Sequence, residues 1–207
     1  MAPDGQKHSD QDGLKCGSIA KDGWPANFSA GVAGFWRDGM IVAVDSFYSE
    51  KQAMTAGVTF QDWPDDQPIE TMRKLSAIPA GYQPGNFYQR EMPLILGLLK
   101  QLPALPACVV IDGYVTLDEA GRKGLGAHLF DEMGQAVPVI GVAKKSFRGS
   151  AHAQKIIRGK SSKPLFITAA GIELEPAASH IASMHGPFRI PTLLKLVDQL
   201  SRETPIE

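Results

Sequence analysis

VVIDGYVTLDEAGRKGLGAHL, residues 109–129, decides the fold. An apolar run from Cys108 to Ile111 reads as a buried strand, and it stops at a carboxylate, Asp112, followed at once by Gly113. An ionised carboxylate in a core is costly unless a positive or hydrogen-bonding group compensates it, so Asp112 needs a partner. One reading makes it a turn, because Asp-Gly at a strand end lets the side chain bond its own backbone. The other makes it a metal or catalytic site, because ligands of open α/β sheets gather beyond the carboxyl ends of the strands. The spacing in GLGAHLFDEMG (124–134) predicts a helix, and VPVIGVAKK (137–145) predicts another strand. The stretch is therefore the middle of a β-α-β unit, which implies a parallel pair with a right-handed crossover.

Working outward, MIVAVDSFYS (40–49) is an apolar strand that ends in a second carboxylate, Asp45. AMTAGVTFQDW (53–63) and TMRKLSAIP (71–79) show broken alternation between turn residues, which predicts an antiparallel meander. FYQREMPLILGLLKQL (87–102) has helical apolar spacing and is stopped by Pro103, with Glu91 in its first turn and Pro93 in its early turns, where proline is tolerated. KPLFITAA (163–170) is a further strand candidate. EPAASHIASM (175–184) and IPTLLKLVDQLSRET (190–204) are helices whose Pro176 and Pro191 fit N1 positions. The class is α/β, a mixed sheet flanked by helices, in the order of a ribonuclease H-like fold.

A length of 207 residues with 43% apolar and 21% charged side chains suits one large domain. The expected division is a polar N-terminal extension, 1–22, with the composition of disordered segments, and a single domain, 23–207. The start lacks the apolar core of a secretory signal, and no stretch is long and apolar enough for a membrane span. These features predict a cytoplasmic protein. Cys16 and Cys108 support neither a disulfide framework nor a zinc site. The net charge of −1 hides an asymmetry: seven of the 21 basic residues fall between Lys144 and Lys163 with no Asp or Glu among them, leaving 14 against 22 acidic residues elsewhere. Such a tract on an acidic body fits either phosphate contacts with a nucleic acid or a solvated loop.

Asp45, Glu91 and Asp112 converge if the first and fourth strands are neighbours and the intervening helix packs over their edge. Three carboxylates at one point repel unless cations lie between them. Oxygen ligands without Cys or His suit Mg²⁺, with Mn²⁺ as a substitute, and two such ions recur in phosphodiester hydrolysis. Lys144 ends the next parallel strand and can reach the same edge to stabilise a scissile phosphate. Asp198 on the last helix is a candidate fourth carboxylate. The bland alternatives are a first-turn Glu91 facing solvent and complementing the helix dipole, and a surface Asp198.

At these residues the chain resembles the endonuclease V family, which cuts nucleic acid near deoxyinosine or inosine with Mg²⁺ on a ribonuclease H-like fold. The resemblance spans roughly residues 39–200 and is carried by VAVDSFY, GYQPGNFYQREMPLI, VVIDG, RKGLGAHL, PVIGVAKK and, more weakly, GPFRIPTLLKLVDQL. It implies metal-binding carboxylates at Asp45, Glu91 and Asp112, a motif lysine at Lys144, a wedge at Tyr82, and a base pocket that includes Gly85, Gly113 and Gly141. Glycines there let a flipped base approach the backbone closely. Lys145 and Arg148, with Lys155, Arg158 and Lys160, are the expected phosphate contacts. The chain departs from the family where Asp-Gly-x-Gly and a histidine become DGYVTLDEAG, with Val115 for the second glycine and Asp118 for the histidine. If Val115 narrows the base pocket, Val115→Gly raises the preference for inosine.

The leading reading is a Mg²⁺-dependent endonuclease acting as a monomer on DNA or RNA near a modified base, in DNA repair. The alternative is a nucleic-acid-binding module of the same fold that has lost lesion-specific cleavage.

Overall fold

The computed structural model describes residues 39–49, 52–77, 87–146 and 149–203. The expected extension at 1–22, with Cys16, lies outside these residues, as do Tyr82, Gly85 and Arg148. The strands are β1 (Ile41–Tyr48), β2 (Gln52–Phe60), β3 (Glu70–Ala77), β4 (Cys108–Asp112), β5 (Val139–Ala143), β6 (Gln154–Ile156) and β7 (Leu165–Ala170). The helices are α1 (Phe87–Leu99), α2 (Leu125–Glu132), α3 (Leu174–Ser183) and α4 (Thr192–Arg202). All seven strands join one sheet in the order β3-β2-β1-β4-β5-β7-β6. The meander β1-β2-β3 is antiparallel, β4 lies parallel to β1 and to β5, and β7 runs antiparallel to both β5 and β6.

Strand alternation divides the core into two layers. Val42, Val44, Val109, Ile111 and Val139 pack with Ile95, Leu98 and Leu99 of α1 and Ala127 and Leu129 of α2. Ile41, Ala43, Cys108, Val110, Ile140 and Val142 pack on the other face with Ala177 and Ile181 of α3 and Leu193 and Val197 of α4. This parity positions the site. Asp45 follows Ile41 and Ala43, Asp112 follows Cys108 and Val110, and Lys144 follows Ile140 and Val142, so all three belong to the α4 side of the sheet.

Several local expectations are revised. Asp45 does not end its strand: β1 continues to Tyr48, paired with β2 alone once the pairing to β4 stops at Val44 and Ile111. Glu91 is the fifth residue of α1, not in its first turn, and Pro93 is the seventh, where its ring forfeits a helical bond to the Gln89 carbonyl. Neither Pro176 nor Pro191 is at N1. Pro191 is the N-cap residue of α4 and Pro176 the third residue of α3, first-turn positions whose missing N–H has no intrahelical acceptor anyway.

The basic tract also differs from a uniform phosphate-binding loop, since it contains β6 and a single 3₁₀ turn at Ser150–His152. Arg158 is only 6% exposed. Its guanidinium donates to the carbonyls of Ala182 (3.3 Å), Phe188 (3.1 Å) and Met184, so it staples the α3–α4 connection and is not a phosphate contact. Arg158→Ala would take their donor from the buried Met184 carbonyl and the part-buried carbonyls of Ala182 and Phe188, so it should lower unfolding free energy by at least about 2 kcal/mol. Chemical denaturation of the two proteins at matched slope measures the difference.

Candidate functional site

Asp45 and Asp112 follow the last residues that β1 and β4 pair, Val44 and Ile111, so they lie side by side where the two strands part, each still paired to its outer neighbour. Glu91 comes from the opposite layer, near enough to feel the charges of both. It lies on the buried stripe of α1 with Leu94, Ile95, Leu98 and Leu99 and is 7% exposed. Burial pushes its carboxyl up to about 8, the charges of Asp45 and Asp112 push in the same direction, and Arg90 opposes them. The solvent-facing reading of Glu91 is thereby overturned.

The other groups organise around the repulsion. Burial raises the pKa of Asp45, against a hydrogen bond from Ser201 Oγ, with Asp112 and Asp198 adding to the rise. Ser201 donates to Asp45 Oδ2 at 2.7 Å and is also 2.9 Å from the Asp198 carbonyl. Lys144 Nζ bridges Asp112 Oδ2 (2.7 Å) and Asp198 Oδ1 (2.9 Å). For Lys144, burial works against the charge, but the two bonded carboxylates outweigh it and hold the ammonium's pKa above its ordinary value. The Arg202 hydrogen bond, seconded by Lys144, keeps the Asp198 pKa low despite partial burial. Asp198 is therefore part of the cluster and not a plain surface residue. Asp45, Asp112, Lys144 and Asp198 share a narrow cleft of about 20 Å³ with Ile190, Leu194 and Val197, room for a water molecule or one ion.

The donor set fits a hard divalent cation: the candidate ligands are carboxylates, and two of them, Glu91 and Asp45, hold raised pKa values that a nearby positive charge would lower. Among the described residues no group of three His, Cys, Asp or Glu side chains is already gathered for ligation. The Lys144 ammonium supplies the positive charge between Asp112 and Asp198 instead.

Other expected residues take different places. A Cβ at Gly141 would lie 2.6 Å from the Gly113 carbonyl and 2.9 Å from Val115 N, so its bare Cα lets the loop after β4 close over β5. Gly113, at φ +151°, has open space beside its Cα. Val115 is completely buried, packs against Ile111 and α2, and donates its N–H to Thr168 Oγ1 at 2.8 Å. Among the described residues it borders no open pocket, so burial in the core, and not the narrowing of a base pocket, is its role there. Asp118 caps a turn through Arg122, accepting from its backbone N–H and Nε at 3.0 Å each. Lys145 is exposed, and its carbonyl accepts the Tyr114 hydroxyl.

Residue reasoning missed Ser201, Arg202 and Arg189, whose guanidinium donates to the Lys144 and Pro164 carbonyls. A signal existed for Ser201. It shares the 193/197/201 stripe of α4 with Leu193 and Val197, where a hydroxyl among apolar positions marks a buried acceptor.

Sheet order, helices on both faces and an acidic edge between two parallel strands define a ribonuclease H-like protein. The endonuclease V family model matches residues 35–199, and the chain belongs to the endonuclease V family. An endonuclease V of Streptomyces avermitilis is 29% identical over 185 residues, spanning 79% of this chain and 80% of that protein. The human ENDOV crystal structure aligns with a TM-score of 0.66 at 22% identity, covering 79% of this chain and 83% of that one. Endonuclease V of Ciona intestinalis, in complex with a 24mer DNA containing an inosine followed by a ribo-adenosine, aligns at 0.63 and 21% identity, covering 79% and 84%.

Two outcomes follow from this geometry. Because the folded-state pKa of Glu91 exceeds its unfolded value, the unfolded chain binds fewer protons between pH 4.5 and about 8, and metal-free stability falls as pH rises through that window. Glu91→Gln removes the penalty, so with chelator present its melting temperature should exceed the parent's at pH 8 and the gap should close by pH 4.5. Thermal melts across that range check it, at roughly 2–4 °C per kcal/mol for a domain of this size. Val115→Gly, in turn, should cost roughly 2–4 kcal/mol from the cavity and the added backbone freedom. Denaturant melts alongside cleavage of matched inosine and adenosine oligonucleotides should show lost stability with an unchanged preference.

Proposed function

We propose that this chain is a Mg²⁺-dependent endonuclease that hydrolyses a phosphodiester bond in DNA or RNA near deoxyinosine or inosine, leaving 3′-hydroxyl and 5′-phosphate ends, in the repair of deaminated bases. The observation that carries the proposal is the convergence of Asp45, Glu91 and Asp112, with Lys144 and Asp198 beside them. A module that only binds nucleic acid gains nothing from burying Glu91 against two like charges. The substrate class rests on family membership and on the inosine-containing DNA held by the Ciona relative.

When bound, Mg²⁺, or Mn²⁺ in its place, supplies an activated water and a counter-charge for the leaving oxygen. Asp45, Glu91 and Asp112 would hold it, with Asp198 as the fourth carboxylate. Ser201 orients Asp45 by donating to Oδ2 and leaves its other oxygen available. Lys144 carries a full positive charge and can exchange a carboxylate oxygen for an oxygen of the scissile phosphate. The Arg202 hydrogen bond holds the Asp198 carboxyl below the usual carboxylate range and so favours its charged form. Tyr82 as wedge, Gly85, Gly113 and Gly141 beside the displaced base, and Lys145 and Arg148 on phosphates complete the reading. Action in the cytoplasm as a monomer belongs to it too; among the described residues no helix is long and apolar enough to cross a membrane.

Asp112→Asn separates the two candidate activities, since the amide keeps the shape and removes the charge. Cleavage of inosine-containing oligonucleotides should fall by at least about a hundredfold with Mg²⁺, while their binding changes by less than about threefold. A variant that still cuts near the parent rate places the chemistry elsewhere. A parent chain that binds but cuts no lesion in DNA or RNA leaves only the binding module.

A further inference from the structure

Next to the carboxylate cleft, and sharing Ile190 with it, lies a groove of about 680 Å³ lined by Lys160, Ser161, Pro187, Phe188, Arg189 and Lys195. Phe188 is 67% exposed, the highest value among the large apolar side chains in the described residues. Every ionisable group lining the groove is basic, and Lys195 Nζ stands 6.0 Å from the Phe188 ring centroid. An aromatic ring set among cations, with no acidic side chain among the described residues that line the groove, is complementary to a strand that offers both base faces and phosphates.

The backbone beneath the ring is over-determined. Arg158 donates to the Phe188 carbonyl at 3.1 Å and to Met184 and Ala182 behind it. Gly159, at φ +58°, lies so close that a Cβ there would meet the Pro187 carbonyl at 2.1 Å. On the other side of Phe188, the Arg189 guanidinium donates to the carbonyls of Lys144 and Pro164. The two arginines clamp the loop, and the second fastens it to the residue whose ammonium bridges Asp112 and Asp198. A ring meant only to fill surface needs no such anchoring.

We propose that Phe188 is a stacking platform for an unpaired nucleobase of the strand bound at the carboxylate edge, with Lys160 and Lys195 on its flanking phosphates. The proposal rests on the endonuclease reading and adds a second contact point beyond the scissile bond. Bases within a duplex already stack on each other, so the platform favours substrates single-stranded at this position.

The test uses the full chain with chelator, so that binding is read without cutting, and a fluorescein-labelled, inosine-containing oligonucleotide as a single strand and as a fully paired duplex. Phe188→Ala and Phe188→Leu should each raise the single-strand Kd by about tenfold, within the range for one base on one aromatic ring. Phe188→Trp should restore parent affinity, and the duplex Kd should move by less than about twofold. Lys160→Ala and Lys195→Ala should each lower the log–log salt slope for the single strand by about 0.7. Thermal melts confirm that the variants fold. Unchanged single-strand affinity in Phe188→Ala, equal losses for strand and duplex, or unchanged salt slopes overturn the platform. So does a Phe188→Ala change in sedimentation of the free chain at unchanged affinity, which would mark a protein interface. If the parent binds no nucleic acid, the endonuclease reading itself fails. If it binds and cuts while Phe188→Ala binds the single strand as tightly, only the platform fails.

Discussion

Mutual repulsion of carboxylates at the edge between β1 and β4 is the constraint around which the rest of this molecule is arranged. Asp45 and Asp112 are brought side by side by the parallel register of two central strands, and Glu91 is driven against them by the leucines and isoleucines of α1. Hydrophobic packing of the two layers thus enforces an electrostatic conflict that an unconstrained chain would avoid. Glu91 takes the largest share, with its carboxyl pushed up to about 8 by burial and its two neighbours. Strongly perturbed carboxyl groups of this kind, kept at one point of an otherwise ordinary core, mark the edge as the candidate functional site.

The second layer distributes the remaining charge. α4 presents Asp198, Ser201 and Arg202 to the edge while burying Leu193 and Val197 one or two turns earlier. Lys144, at the end of β5, ties β4 to α4 by bridging Asp112 and Asp198. Arg158 and Arg189 extend the network through backbone carbonyls and hold the α3–α4 connection against β7 and the end of β5. The acidic edge and the basic groove beside it are thereby joined through the Arg189 bonds to the Lys144 and Pro164 carbonyls.

Much of this was legible in residue patterns, and the failures have physical causes. The β-α-β unit around Asp112 and the meander after β1 follow from apolar runs broken by turn residues, and both formed. Three-residue β6 was invisible, because Gln154–Ile156 has no alternation to read and exists through its pairing with β7. Glu91 was legible as a candidate but misplaced: a first-turn position was inferred from the apolar spacing, whereas its stripe with Leu94, Ile95 and Leu98 puts it on the buried side. Arg158 read as one more cation in a basic tract, since nothing local reveals that Ala182, Met184 and Phe188 would turn their carbonyls towards it. Val115 was read through a family glycine, yet burial against α2, a long-range contact, decides what that side chain does.

The central claim is that the three converging carboxylates are a cation site in which Glu91 must give up a proton. Calorimetric titration of Mn²⁺ into the full chain at pH 7, repeated in buffers of different ionisation enthalpy, tests it most directly. The account predicts saturable binding with release of about one proton per site, and loss of both in Asp45→Asn. Binding without proton release, or binding that survives Asp45→Asn unchanged, would contradict it.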